Sequence, residues 1–211
     1  MPPRRTKLSD RSSRHDRAYT KAKHEGFAAR AIYKLQEIDQ RFKLLKSGAR
    51  VIDLGCWPGS WMQYTAGKVG PEGRVLGIDL REVTIALPDF CEAIVGDVTE
   101  WSPPAGETFD VVLSDMAPHT TGDRHSDQWR SEELCRRAIE IARQALRPGG
   151  HLVVKVFQGG AFPELLRELR GAFQEGKAYH AENTRASSTE QYLIGRGLKA
   201  SASLRAPAPA T

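Results

Sequence analysis

The feature that most constrains the fold is a regular alternation of short apolar runs with helical patterns. Five runs rich in Val, Ile and Leu predict buried strands, at residues 50–55, 73–79, 92–97, 109–115 and 151–157. Helices are predicted at about 60–69, 128–146 and 163–173, and two final strands at 177–182 and 190–195. Apolar strands that alternate with helices are typical of a parallel sheet covered on both faces. The sequence therefore predicts an α/β fold.

The length and composition fit a single domain. A chain of 211 residues, 40% of them hydrophobic, can bury a substantial core. We divide it into a flexible basic leader (1–16), a folded domain (17–197) and a disordered tail rich in Ala and Pro (198–211). No apolar run approaches the ~18 residues of a membrane span, and the basic, polar start does not resemble a secretory signal. We expect a cytoplasmic protein with no membrane contact.

The three cysteines, Cys56, Cys91 and Cys135, are scattered along the chain. Structural zinc sites need paired Cys or His spacings, and this sequence has none. An odd number of unpaired cysteines is typical of reduced thiols. We therefore expect no disulfide framework and no metal site.

The charge is concentrated near the N-terminus. Residues 1–46 hold 13 Lys and Arg against 5 Asp and Glu, a net charge of +8, whereas the other 165 residues have 18 against 21, a net charge of −3. Within residues 17–46, apolar side chains recur every three or four positions, which predicts a helical segment. This basic segment either faces a polyanion such as RNA or is a solvated helix face behind a disordered leader. Charge alone leaves both interpretations open.

Three predicted strands end on residues suited to a nucleoside-type ligand. The first runs into a glycine turn from Gly55 to Gly59, where the backbone can approach a ligand closely. Asp79 ends the second strand, where a carboxylate can accept both hydroxyls of a ribose, and Asp97 follows the third, placed for an exocyclic amine. Asp is also common where strands enter turns. Three such positions together favour a bound nucleoside.

The turn itself narrows the choice of cofactor. It lacks the Gly-x-Gly-x-x-Gly pattern of dinucleotide sites, and Pro58 removes an N–H donor that a pyrophosphate would use. This favours an adenosine without phosphates, and S-adenosylmethionine is such a molecule. Its sulfonium suits carboxylates and aromatic faces. Trp61 is a candidate for that aromatic wall, although a core role is equally compatible with its position.

A second set of residues suggests catalysis. Lys155 lies inside the apolar fifth strand, where an unpaired lysine is unfavourable. Asp115 ends the fourth strand, which is expected to pair with the fifth and so bring the two side chains together. Lys34, on the basic helical segment, and Glu190, at the start of the last strand, are each unremarkable surface charges when considered alone.

Together these residues closely resemble the FtsJ (RrmJ, or RlmE) family of RNA ribose 2′-O-methyltransferases, over residues 17–197. The family's Lys-Asp-Lys-Glu tetrad matches Lys34, Asp115, Lys155 and Glu190 in their local motifs. Its cofactor positions match Gly59, Trp61, Asp79, Asp97 and Asp115. The chain departs from the family pattern at Cys56-Trp57, at Ser60 and at His119.

The resemblance implies a Rossmann-like fold that depends on S-adenosylmethionine. Its sheet would have seven mostly parallel strands, the last antiparallel, with helices on both faces. It also implies 2′-O-methylation of a ribose, that of a uridine in 23S rRNA, within the 50S particle or a late precursor. We expect a monomer, and no protein partner can be inferred from the sequence. Lys155 would orient the hydroxyl or act as its base. Two alternatives remain open: methylation of tRNA or another RNA, and a non-catalytic RNA-binding factor in ribosome assembly.

Overall fold

The computed structural model describes residues 20–118, 121–182 and 189–204. In chain order, the elements are α1 (Ile32–Phe42), β1 (Arg50–Leu54), α2 (Ser60–Val69), β2 (Arg74–Asp79), β3 (Cys91–Val95), β4 (Phe109–Ser114), α3 (Arg124–Ala145), β5 (Leu146–Phe157), α4 (Phe162–Ala172), β6 (Phe173–Tyr179), β7 (Glu190–Leu198) and a 3₁₀ turn (Ala200–Ala202). Within these ranges, no helix is long and apolar enough to cross a membrane.

The seven strands form one sheet in the order β3-β2-β1-β4-β5-β7-β6. The pairs from β3 through β5 are all parallel, whereas β7 runs antiparallel to both β5 and β6. The carboxyl ends of β1, β2, β4 and β5 therefore meet at one edge of the sheet, which we call the carboxyl edge. This arrangement confirms the predicted α/β fold, with seven mostly parallel strands and the last strand antiparallel.

Helices cover both faces of the sheet because successive strand side chains alternate between them. On one face, α1 and α2 pack on a cluster that includes Val111 and Val153. On the other, α3 and α4 pack on a cluster that includes Val112 and Val154. A strand buried on both sides must be apolar throughout, which is why β1, β4 and β5 read as continuous hydrophobic runs.

The N-terminal helical segment differs from its prediction. The sequence pattern suggested helix over most of residues 17–46, but the helix that includes residues 20–24 ends near Gly26, whose φ is +77°, before α1 begins at Ile32. α1 ends at Phe42 because Lys43 adopts a left-handed conformation, φ 54°. The Asp39 carboxylate then accepts hydrogen bonds from the two N–H groups of residues 44 and 45. The segment is therefore two helices joined by a bend.

Other boundaries also move. β6 occupies Phe173–Tyr179, earlier than the predicted 177–182, and β5 begins at Leu146, directly after α3. The predicted tail boundary after Gly197 is too early, because Leu198 and Ala202 are buried and the Ala202 carbonyl accepts a hydrogen bond from the Arg143 guanidinium. The predicted leader (1–16), the rest of the tail (205–211) and His119 lie outside the described residues.

Candidate active site

A glycine turn connects β1 to α2 at the carboxyl edge. Gly55 and Gly59 have φ values of +76° and +107°, a region that favours glycine. A Cβ added at Gly59 would lie 2.5 Å from Ile85 Cδ1, and one added at Gly55 would lie 2.6 Å from Met116 Cγ. Both positions therefore require glycine for conformation and for space. The two glycines therefore form a tight backbone cradle at the end of β1, with the Ile85 and Met116 side chains packed against it.

One predicted carboxylate, Asp79, is hydrogen-bonded to this cradle, and another, Asp97, follows β3, the second strand along the sheet from β1. Asp79, at the end of β2, accepts hydrogen bonds from the backbone N–H groups of Trp57 and Arg81, at 3.0 and 2.9 Å. Asp97, beyond β3, accepts from the N–H and hydroxyl of Thr99, which lower the pKa of its exposed carboxyl. Asp97 therefore carries its negative charge at neutral pH and remains open to a ligand.

A third carboxylate, Asp53, was not assigned a role from the sequence. It lies inside β1 and is fully buried, and neither carboxylate oxygen has a hydrogen-bond partner among the described residues. Burial, and then the charges of Asp115 and Asp79, raise its pKa well above the usual value. An unpartnered buried carboxyl is unfavourable unless it is protonated or meets a cationic or donor group. Asp53 therefore makes this site receptive to positive charge.

Trp61 is buried in the core, 3% exposed, rather than open toward the cradle. Its indole N–H donates to the Ala31 carbonyl at 2.9 Å, which ties α2 to the chain just before α1. Its ring lies 6.1 Å from the ring of Tyr192, with the planes tilted by 31°. Of the two roles considered from the sequence, these contacts are those of a core residue. A contact between Trp61 and a cofactor stays a prediction.

The four tetrad residues come from four separate elements and meet as two ion pairs. Lys155, in β5, lies 3.1 Å from the Asp115 carboxylate and donates to the Asp115 backbone carbonyl at 2.5 Å. Lys34, in α1, donates to Glu190, at the start of β7, at 2.5 Å. Lys155 is only 7% exposed. The structure thus brings together all four residues singled out in the sequence, as an electrically balanced group at the carboxyl edge.

Tyr192 joins the two ion pairs and was missed in the sequence. It pairs across the strands with Lys155, and its hydroxyl donates to the Asp115 carboxylate at 2.7 Å. Burial, followed by the charges of Asp115 and Glu190, raises its pKa well above 10, so the phenol stays neutral and acts as a donor. It lies two positions after Glu190, a spacing that places both side chains on the same face of β7. The alternation of side chains along a strand was therefore the sequence signal that could have placed Tyr192 beside Glu190.

The described ranges contain no group of three or more His, Cys, Asp or Glu residues that could hold a metal ion. The three cysteines are free thiols, and burial raises the pKa of each one. What the site offers instead is a backbone cradle, several carboxylates and a buried lysine. Such a set of groups can bind a charged nucleoside and orient a second reactant.

Solved structures place the fold in a known class. The fold matches a crystal structure of a ribosomal RNA methyltransferase from Plasmodium falciparum with a TM-score of 0.71 and 25% identity, covering 82% of this chain and 98% of that one. A structure of an rRNA methylase from Clostridium thermocellum matches with a TM-score of 0.58 and 23% identity, over 78% and 97% of the two chains, and supports the fold alone. The architecture is that of a Rossmann-like methyltransferase.

Sequence comparisons identify the family. The model of the FtsJ-like methyltransferases matches residues 27–198. Ribosomal RNA large subunit methyltransferase E of Syntrophobacter fumaroxidans is 47% identical over 193 residues, which cover 88% of this chain and 97% of that protein. The protein of the same name from Bdellovibrio bacteriovorus is 44% identical over 87% and 97% of the two chains. The chain belongs to the FtsJ-like methyltransferase family.

Proposed function

We propose that this protein transfers a methyl group from S-adenosylmethionine to a ribose 2′-hydroxyl of large-subunit ribosomal RNA. The observation that carries the proposal is the tetrad at the carboxyl edge, in which a buried lysine is held by Asp115 beside the glycine cradle. The relatives at 44–47% identity are named as large-subunit ribosomal RNA methyltransferases, which supports the choice of substrate.

The residues of the cradle suit S-adenosylmethionine. In this proposal, Asp79 holds the ribose hydroxyls, Asp97 accepts from the adenine amine, and Gly59 allows close approach of the backbone. The Asp53 carboxyl has no hydrogen-bond partner among the described residues, and the positive charge of this cofactor would stabilise its ionised form, whereas a phosphorylated nucleotide would add further negative charge. When bound, the cofactor supplies a methyl group already activated by its attachment to a sulfonium.

Lys155 would position the second reactant. A lysine ammonium has three N–H donors. Two of them are directed at the backbone carbonyl and the carboxylate of Asp115, which leaves one for the 2′-oxygen of the ribose. A donor in that position turns a lone pair of the hydroxyl toward the methyl group and supplies the in-line alignment that the transfer requires. Lys34 and Glu190 would border the ribose, and Tyr192 would fix Asp115.

Whether Lys155 also removes the proton is a separate question with its own measurement. A lysine that only orients the hydroxyl works as an ammonium, so its activity does not require deprotonation. A lysine that acts as the base must first lose its proton, and the logarithm of the single-turnover rate would then rise with a slope of about one over about pH 6–9. We expect the much flatter profile of a lysine that only orients the hydroxyl, with the hydroxyl proton lost to water as the bond to the methyl carbon forms.

The basic N-terminal segment, residues 17–46, would hold the RNA backbone. Lys34 lies on this segment and also belongs to the tetrad, so the segment borders the active site. We further propose that the enzyme acts as a cytoplasmic monomer on a uridine of 23S rRNA, within the 50S particle or a late precursor. RNA shape would then select the nucleotide, because phosphate contacts do not read sequence.

A tritiated-methyl transfer assay tests the proposal. Large ribosomal subunits that lack the modification, protein-free ribosomal RNA and transfer RNA are each incubated with labelled S-adenosylmethionine. We expect the highest rate on the subunits. The label should be recovered in a single alkali-resistant dinucleotide, because a 2′-O-methyl group blocks cleavage of the phosphodiester bond that follows it. Equal or greater transfer to transfer RNA would favour the alternative substrate. Complete absence of transfer to all three RNAs would favour a non-catalytic assembly factor.

A further inference from the structure

Of the four tryptophans, two are exposed on the surface. Trp57 and Trp129 are 46% and 62% exposed, whereas Trp61 and Trp101 pack against the core. An exposed indole presents a large flat aromatic face on which a nucleic-acid base can stack. The Trp57 ring already faces the Arg81 guanidinium, 4.8 Å from its centroid. Trp129 is the more exposed of the two, and it lies in a helix that contacts the segment after Lys155.

Trp129 lies in the second turn of α3, which is fixed against the segment that follows Lys155. The hydroxyl of Ser131 accepts a hydrogen bond from the backbone N–H of Phe157. The Gln128 side chain lies so close to Gly159 that an added Cβ there would fall 1.5 Å from its Nε2. The residues on either side of Trp129 therefore contact the chain within two to four positions of Lys155.

The direction of α3 places the Trp129 indole near the carboxyl edge of the sheet. The connection from β4 to α3 starts at Asp115, so the helix begins at the carboxyl edge of the sheet. Side chains on a helix lean toward its N-terminus, and those near the N-terminus of α3 therefore lean toward this edge. Gln128 and Ser131 occupy the inner side of the helix, which leaves Trp129 on its solvent side, near its N-terminal end.

The helices on the two faces of the sheet indicate the path that an RNA strand would take across the carboxyl edge. Lys34 lies on α1, which packs on the same face as Val153. α3 packs on the opposite face, against Val154 and Val156. A strand that leaves the basic α1 side and presents a ribose to Lys155 would continue over the edge toward α3. Single-stranded RNA is commonly held by aromatic side chains on which splayed bases stack.

We propose that Trp129 stacks on a base next to the nucleotide whose ribose is methylated. This inference rests on the proposed function, since it takes RNA as the substrate. The indole would hold the strand on the far side of the edge from Lys34 and so help to fix the ribose over Lys155. Trp129 would act as an RNA-binding residue without touching the cofactor.

Steady-state methyl transfer to large ribosomal subunits, with three substitutions of Trp129 and one control variant, tests the stacking. Loss of one stacked base corresponds to about a 5- to 150-fold loss in affinity. Trp129→Ala should therefore raise the KM for subunits by a factor in that range, with kcat and the Kd of S-adenosylmethionine nearly unchanged. Trp129→Phe should recover most of the loss because it restores an aromatic face, whereas Trp129→Leu should not. Leu204→Ala removes another exposed apolar side chain, near the distal end of α3, and should behave as the wild type.

A fluorescein-labelled oligouridylate separates RNA stacking from docking on a ribosomal protein. Its affinity, measured by anisotropy, should fall with Trp129→Ala as it does for subunits. Three results would overturn the proposal: an unchanged KM, rescue by Leu as complete as by Phe, or a loss confined to intact subunits. Failure of the wild-type enzyme to methylate any RNA would instead reject the proposed function, independently of Trp129.

Discussion

Replacing Asp53 with Asn tests whether the buried carboxyl of β1 is neutral in the ligand-free protein. The side chain is fully buried, and its two oxygens have no hydrogen-bond partner in the described part of the chain. Its pKa is raised well above the usual value, first by burial and then by Asp115 and Asp79. The folded protein therefore keeps a proton that the unfolded chain releases near pH 4.

Proton linkage gives the size and direction of the effect. The pKa of Asp53 is higher in the folded protein than in the unfolded chain. The contribution of Asp53 to the free energy of unfolding is therefore fully present below the unfolded-state pKa and is lost as the pH rises toward the folded-state pKa. Between the two values the folded state binds one proton more, which lowers the free energy of unfolding by about 1.4 kcal/mol per pH unit. Asp53→Asn cannot lose a proton. Relative to the wild type, the free energy of unfolding of Asp53→Asn should therefore rise by about 1.4 kcal/mol per pH unit between the unfolded-state and folded-state pKa values.

Urea unfolding at several pH values above about 5 measures the difference. Asp97→Asn is the matched control, since the Asp97 carboxyl is exposed and its pKa is lowered by Thr99, so its titration lies below this window. The control should follow the pH dependence of the wild type. If the stabilities of the wild type and Asp53→Asn stay parallel over this range, Asp53 is ionised in the folded protein and our account of its burial is wrong.

Three further predictions concern activity and binding. Lys155→Met should slow methyl transfer by at least about 100-fold while calorimetry shows nearly unchanged S-adenosylmethionine affinity; retention of more than a few per cent of the rate would remove Lys155 from the centre of the mechanism. Asp79→Ala should weaken cofactor binding by about 1.5–3 kcal/mol with the circular dichroism spectrum preserved, and an unchanged Kd would reject the ribose contact. Replacing Lys21 and Lys23 with Gln should reduce the slope of log affinity against log salt by about 0.7–0.9 per lost phosphate contact, and an unchanged slope would mean that RNA does not follow this segment.

The central sheet could be predicted because its strands are buried on both faces. Such strands are continuous apolar runs, and the sequence shows them directly. β6 was misplaced because it is an edge strand with mostly exposed or half-buried side chains, so its hydrophobic pattern is weak. The bend at Gly26 was missed because an isolated glycine in a helical pattern does not reveal whether its φ is positive.

The site was only partly accessible from the sequence. Asp115 and Lys155 could be brought together by reasoning about adjacent strands, since β4 and β5 pair in parallel. Lys34 and Glu190 are 156 positions apart, and no spacing rule connects them, so their pairing depended on the family resemblance. The isolation of Asp53 inside β1 is a property of the packed neighbours and has no signature in the local sequence.

The position of β7 ties activity to synthesis of the chain through residue 198. β7 is the last strand in the described part of the chain, yet it lies between β5 and β6 and contributes Glu190 and Tyr192 to the site. A nascent chain emerges with its N-terminal part first, so β5 and β6 have no partner on their facing edges until the final strand leaves the ribosome. A product shortened before Glu190 would expose two strand edges and lack both the Glu190 partner of Lys34 and the Tyr192 partner of Asp115. Unpaired edges favour aggregation, so such a fragment is expected to be insoluble rather than weakly active.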